Sequence, residues 1–321
     1  MMKKMILKYK YILIIIGLFV VISTSILMII GVNDRRRNGK YKDNVDDDNE
    51  DDVYRHVIKQ WYNFPKHDKW FNNKEISMFD ERLLHEINER WIIDTTNSNN
   101  NYSGLTMPEI YDPSMGQSQV IKQIFGYKKN GFFIECGAFD GETRSNTLNL
   151  ERYYNWTGLL VEADPINFRK MIDKKRRAYL SPTCLSLKPY PMNTSFLMAN
   201  NIGRIHQPNE LTNKIENTKD VAHNGKHVDV QCFPLASYIM ALNITSVDYF
   251  SLDVEGSEME VLQTIPFNLV DVKALSVEYT HVENGKNRMI KFMENNGYYS
   301  HSFVKKDYNL ANDIIFVKRK L

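Results

Sequence analysis

The sequence has little cysteine. It holds three, Cys136, Cys184 and Cys232, with no CxxC pair, which excludes a disulfide-built scaffold and a structural zinc ribbon. It also lacks a surplus of basic charge. The net of +2 comes from 41 Lys+Arg against 39 Asp+Glu, and the first sixty residues hold 11 Lys/Arg against 8 Asp/Glu, leaving 30 against 31 for residues 61–321. A body with a net of −1 lacks the basic face of a duplex reader, so no nucleic acid is expected as a partner. No internal repeat is present. With 43% hydrophobic and 25% charged residues, the chain has the apolar material for one or two globular domains and is neither disordered nor fibrous.

Tyr11 to Val32 is a 22-residue run without a charge. As a helix it spans about 33 Å, which matches a bilayer core of about 30 Å. A cleaved signal peptide has a shorter apolar region and a small-residue cleavage site, so the run is read as an uncleaved transmembrane anchor behind the tail 1–10. Lysines precede the span and Arg35, Arg36 and Arg37 follow it, so the positive-inside rule gives no orientation. Residues 33–60, with the acidic run DNVDDDNEDD, read as a charged, solvated stalk. Residues 61–115 read as a helical lead-in: EISMFDERLLHEINERWI places Ile76, Phe79, Leu83, Ile87 and Trp91 at helical spacing.

From Gly116 to Leu321 short apolar runs alternate with helical segments. Strands are expected at 131–136, 158–163, 177–180, 228–233, 248–254, 273–279, 298–304 and 313–318, with helices between most of them. Alternation of this kind predicts an α/β fold with an open, mostly parallel sheet covered on both faces. The last two strands have only a polar loop between them and should form an antiparallel hairpin at the sheet's edge.

In such sheets ligands bind beyond the carboxyl ends of the strands. The first strand runs into ECGAFDGET, where Glu135, Gly137 and Gly141 form an ExGxxxG pattern rather than the GxGxxG of a pyrophosphate cradle. Glu162, at the end of the second strand, stands where a carboxylate accepts hydrogen bonds from ribose hydroxyls. Cys184 and Leu185 follow the third strand, where an adenine edge would lie, and DYFSLDVEGSE ends in Asp253 and Glu255. Ribose and adenine contacts without a phosphate cradle, beside acidic residues for a cation, suit S-adenosyl-L-methionine.

The segments FFIECGAFDGETRSNT, GLLVEADPINF, CFPLASYI, VDYFSLDVEGSEMEVLQTI and DIIFVK resemble, in order, the FkbM-type methyltransferase domain. Within that family the chain is most similar to the animal Star-like group. The family resemblance implies a class I S-adenosylmethionine-dependent methyltransferase-like, Rossmann-like sheet over 116–321, with Glu135, Gly137, Gly141, Glu162 and Asp253 among the cofactor positions. The Star-like resemblance implies a single-pass type II membrane protein of the endoplasmic reticulum and Golgi, and of endosome or plasma membrane, that handles transmembrane cargo in trafficking. Two functions therefore stand side by side: O-methyl transfer to a glycan-like hydroxyl, and a trafficking module that keeps the fold with or without catalysis. Phe139 stands near a position where the family often has Asn, and would narrow the methionine pocket.

A hydroxyl nucleophile needs a base. Asp253, Glu255 and His281 are the candidates, with Glu278 beside them; Glu278 and His281 read first as hydrogen-bonded strand-end residues. His223 and His227 have HxxxH spacing, but with His206 they fall in a Lys/Asn-rich stretch and are expected in an exposed loop, so no metal is expected. Cys136 reads as a small core residue. With the body in the lumen, Cys184 and Cys232 could bond. The long polar stretch Lys188 to His227 is expected to be a loop that covers the cofactor mouth or presents a partner surface.

Overall fold

The computed structural model describes residues 70–97, 102–205, 226–281, 285–306 and 311–320. All of them fall within the compact unit His56–Leu321. The expected anchor, Tyr11 to Val32, and the stalk 33–60 lie outside the described residues, as do His206 and His223. Among the described residues no helix is long and apolar enough to cross a membrane.

The chain runs α1 (Glu81–Arg90), β1 (Ile93–Asp94), α2 (Gln117–Ile124), β2 (Phe132–Cys136), α3 (Leu148–Tyr154), β3 (Thr157–Val161), α4 (Pro165–Asp173), β4 (Tyr179–Ser181), β5 (Cys184–Leu185), β6 (Met192–Met198), β7 (Arg204–Ile205), β8 (Lys226–Phe233), α5 (Leu235–Ala241), β9 (Val247–Leu252), α6 (Glu258–Thr264), β10 (Val272–Glu278), α7 (Gly285–Asn295), β11 (Tyr298–Lys306) and β12 (Ala311–Lys318). Eight of the strands form one sheet in the order β1-β4-β3-β2-β9-β10-β12-β11. The five from β4 to β10 run parallel. β12 enters antiparallel between β10 and the edge strand β11, so the predicted closing hairpin is present. This is the mixed sheet of a class I methyltransferase-like α/β fold, and its order reverses between β2 and β9.

Alternation along the strands builds a core on each face. Ile134, Leu159, Phe250 and Leu275 point to the face covered by α1, α5, α6 and α7 through Leu83, Tyr238, Leu262 and Met289. Their neighbours Phe133, Leu160 and Tyr249 point to the face covered by α2, α3 and α4 through Ile121, Leu150 and Phe168. Because both faces are buried, these strands read as continuous apolar runs.

Three expectations are corrected. The helix expected from Glu75 to Ile92 starts only at Glu81, because Asp80 takes an extended backbone and its carboxylate accepts the Arg82 N–H, an N-cap that ends the preceding turns. Ile76 and Phe79 still pack on the core. The segment after Lys188 is not one loop: β6, a 3-10 turn at Asn200–Ile202 and β7 lie in it, and a second, four-stranded sheet runs β5-β8-β6-β7. The strand expected at 228–233 therefore belongs to this smaller sheet, and His227 lies on β8 rather than in a loop. Cys184 and Cys232 face each other across the parallel pair β5/β8 and are joined by a disulfide.

Candidate functional site

The carboxyl ends of β2, β3 and β9 converge, and the loop after β2 is fixed from beneath. Glu135 is buried at the end of β2. Its carboxylate accepts hydrogen bonds from Ser145 Oγ at 2.9 Å, from the Asn146 N–H at 2.8 Å and from the Thr147 hydroxyl. Burial pushes this carboxyl up, against the pull of Arg176 and the Thr147 hydrogen bond. Arg176, fully buried, pairs with Glu151 at 2.7 Å and donates to the Gly141 carbonyl, to Ser145 Oγ and to Thr147 Oγ1. Glu142 accepts from the backbone N–H groups of Thr106 and Met107 and from Lys174 Nζ at 2.6 Å.

Two glycines shape the loop differently. Gly137 has φ +76°, and a Cβ there would lie 1.8 Å from the Asp253 carbonyl oxygen. Only glycine combines a left-handed backbone with that approach. Gly141 also has φ +76°, but a Cβ there would meet Met171 of α4, and the residue lines neither cavity described below. The sequence reading placed both glycines against a ligand; only Gly137 lines the cavities. Phe139, Arg144 and Glu255 also have positive φ, at 51°, 58° and 55°.

Two cavities meet at Gly137, Phe139, Asp253 and Glu255. The first, about 610 Å³ including its mouth, is walled by Val161, Leu185, Leu187, Phe196 and Ile205, with Glu162 as a carboxylate on its wall. Glu162 accepts the N–H groups of Phe139 at 2.7 Å and Asp164 at 2.8 Å. Burial, and then Asp164, push it up to about 8. Cys184 lines the same cavity from β5, and Asn200, Asn201 and Gly203 approach from the β6–β7 segment. Part of the stretch expected to cover the mouth thus lines this cavity, as ordered turn and strand.

The second cavity, about 1320 Å³ with its open mouth, is lined by Glu135, Asp253, Glu255, Glu278, His281 and Asp313 among others. Burial, Glu255 and Glu278 hold Asp253 well above the usual carboxylate range. Asp313 is raised to about 7 by burial, although Gln117 Nε2 donates to it at 2.8 Å. His281 Nδ1 lies 2.8 Å from Glu255 Oε2 and 3.5 Å from Glu278 Oε2. These carboxylates raise the imidazole to about 11.

The expected site residues are therefore brought together with one exception. Gly137, Glu162, Cys184, Leu185 and Asp253 line the first cavity, and Glu135, Asp253, Glu255 and His281 line the second. Gly141 stands apart. Cys136 lies beneath both cavities as a buried free thiol, pushed up by burial. Sequence reasoning missed Gln117, Asn146 and Asp313. It also missed the Arg176–Glu151 pair, whose members are 25 residues apart and leave no local signal.

The description of the methyltransferase FkbM domain matches residues 135–299. No curated protein matches the chain. Among solved structures, precorrin-6y C5,15-methyltransferase from Geobacter metallireducens is 10% identical, with a TM-score of 0.34 over 63% of this chain and 87% of that one. Magnesium protoporphyrin IX methyltransferase from Synechocystis, with bound SAM, is 11% identical, with a TM-score of 0.35 over 70% of this chain and 94% of that one. The family rests on the sequence match, which takes in the strand ends that form both cavities. The chain belongs to the FkbM methyltransferase domain family.

Proposed function

We propose that the chain is an S-adenosylmethionine-dependent O-methyltransferase acting on a hydroxyl of a glycan-like acceptor. The observation that carries this reading is the meeting of an apolar cavity holding Glu162 with an acidic cleft, at a glycine that no other residue can replace. S-adenosylmethionine fits that donor set: Leu185, Cys184 and Glu162 would hold its adenosine, and the carboxylates around Asp253 would hold its cationic end. When bound it supplies an electrophilic methyl group.

The chain's own part is binding, orientation and one proton. Both Glu162 oxygens already accept backbone N–H groups, which fixes the carboxylate while lone pairs remain for hydroxyl donors. Phe139 lines both cavities and Phe196 the first, which puts aromatic rings beside the methyl donor. Asp253 is the base: positive charge in the cleft lowers its raised affinity for a proton, so that it stands as a carboxylate able to take the acceptor's proton. His281, held as an imidazolium between Glu255 and Glu278, has no lone pair to offer and positions Glu255 instead. Asp253→Asn should lower kcat by about 10² or more in a methyl-transfer assay on glycan acceptors. Unchanged turnover in that variant would remove the assignment.

The body is placed in the lumen, anchored through Tyr11 to Val32. The Cys184–Cys232 disulfide supports this, since such bonds persist in oxidising compartments. The same bond favours the second reading, a Star-like factor for transmembrane cargo of the endoplasmic reticulum and Golgi, because a lumenal enzyme needs its methyl donor imported. Glu162→Ala separates the two: cargo export that survives loss of cofactor binding belongs to the trafficking module, and export lost with it belongs to the enzyme.

A further inference from the structure

β9 and β10 are parallel neighbours, in register to Leu252 beside Val277. Asp253 follows the end of one and Glu278 closes the other, while Glu258 opens α6 above them. The ligand oxygens of these three carboxylates all lie within 4.8 Å of one another. A calcium-type ion with oxygens at about 2.3–2.6 Å bridges such a span with little movement. Glu258 is 0% and Glu278 8% exposed, while Asp253 is the most exposed member of the group, so two of the three carboxylates are crowded where water screens little. The cation recorded against it among the described residues, His281, makes its closer contact to Glu255.

Unpartnered oxygens provide the second observation. Asn146 Oδ1 and Gln117 Oε1 are buried and accept no hydrogen bond, on side chains 8% and 4% exposed that line the same cleft. Their amide nitrogens are taken, Asn146 Nδ2 by Ser251 Oγ at 2.9 Å and Gln117 Nε2 by Asp313 at 2.8 Å, which leaves the oxygens without a donor. Buried acceptors without donors are costly. Glu258, by contrast, is already oriented by the N–H groups of Val254 and Gly256. The set is all oxygen, which selects hard cations over zinc or copper.

We infer that Asp253, Glu258 and Glu278 hold a divalent cation of the calcium, magnesium or manganese class at the floor of the cleft, with its remaining positions open toward Asn146 and Gln117. The ion site stands without the methyltransferase reading. On that reading, which this one consequence rests on, the open positions would take an acceptor oxygen, with one Asp253 oxygen on the ion and the other left for the acceptor's proton.

The test is a manganese titration of the full-length chain, without methyl donor, followed by electron paramagnetic resonance. One Mn2+ per chain is expected, displaced by Ca2+ and weakened about tenfold or more by E278Q and by D253N, with E109Q as an unaffected control. No saturable binding up to millimolar Mn2+, or equal affinity in E278Q and D253N, overturns the proposal. E278Q removes one of the crowded charges and should fold with a raised metal-free Tm, while Ca2+ raises the Tm of the wild type only. An equal rise in both also overturns it. Titration of S-adenosylmethionine into the same metal-free chain fails or succeeds independently, so loss of one reading is distinguishable from loss of the other.

Discussion

At the end of β2, Glu142 receives two backbone N–H groups and Lys174, and its carboxyl is held down to about 2. At the ends of β9 and β10, Glu258 receives two backbone N–H groups but no cation, and burial with Glu278 holds it up to about 8, while burial with Glu255 and Glu278 holds Asp253 well above the usual range. In the first region burial of the carboxylate is offset by donors and a cation. In the second, the same kind of burial is reinforced by like charge. The difference sorts the acidic residues into two jobs. Glu142, compensated, holds the loop's shape, and Asp253, under-compensated, faces a cleft that a positively charged ligand can enter.

The comparison breaks first at the glycine between the two regions. Gly137→Ala forces a Cβ to within 1.8 Å of the Asp253 carbonyl oxygen. It should cost more than about 4 kcal/mol and abolish binding in both cavities, as thermal melts and ligand titration would show. Next is the scaffold. Arg176→Met leaves Glu151 buried and uncompensated, which should cost about 3–5 kcal/mol in urea melts, whereas Arg176→Met with Glu151→Leu should recover most of it. Reducing the Cys184–Cys232 bond, which spans a separation of 48 residues, should cost about 2–4 kcal/mol. A gel mobility shift lost in Cys232→Ser would report the bond itself.

The pH dependence differs in sign between the regions. Glu162 and Glu258 titrate at about 8 in the folded chain against an ordinary 4.5. Between those values the folded state holds more protons than the unfolded one, so their contribution falls as pH rises from about 4.5 to 8. Glu142, at about 2 against 4.5, contributes fully above 4.5 and loses that contribution as pH falls toward 2. The ligand-free Tm should thus decline between pH 5 and pH 8. Glu258→Gln should flatten the decline while leaving the acid limb in place; an unchanged slope would count against the crowded cluster.

Much of this was legible in the sequence because burial on both faces leaves apolar runs, as in Phe132–Cys136 and Val247–Leu252. The order of the motifs gave the convergence of Gly137, Glu162 and Asp253. Strand β6 was not legible: Asn193, Thr194 and Ser195 lie toward solvent and only Phe196, Leu197 and Met198 are buried, so its apolar signal is half a strand long. The disulfide was open until β5 and β8 placed Cys184 opposite Cys232. Arg176 and Glu151 carry no pattern, since an ion pair across 25 residues depends on the fold that it stabilises. Gly141 has the motif spacing of a ligand loop, and that a Cβ there would meet Met171 of α4 is visible only in the fold.

The central claim is that the paired cavities bind S-adenosylmethionine through Glu162. Isothermal titration of S-adenosylmethionine into the full-length chain, with Glu162→Ala as control, tests it most directly. Micromolar binding that disappears in a folded Glu162→Ala chain is the predicted result. No heat of binding by the folded wild type, or equal affinity in the variant, would contradict it.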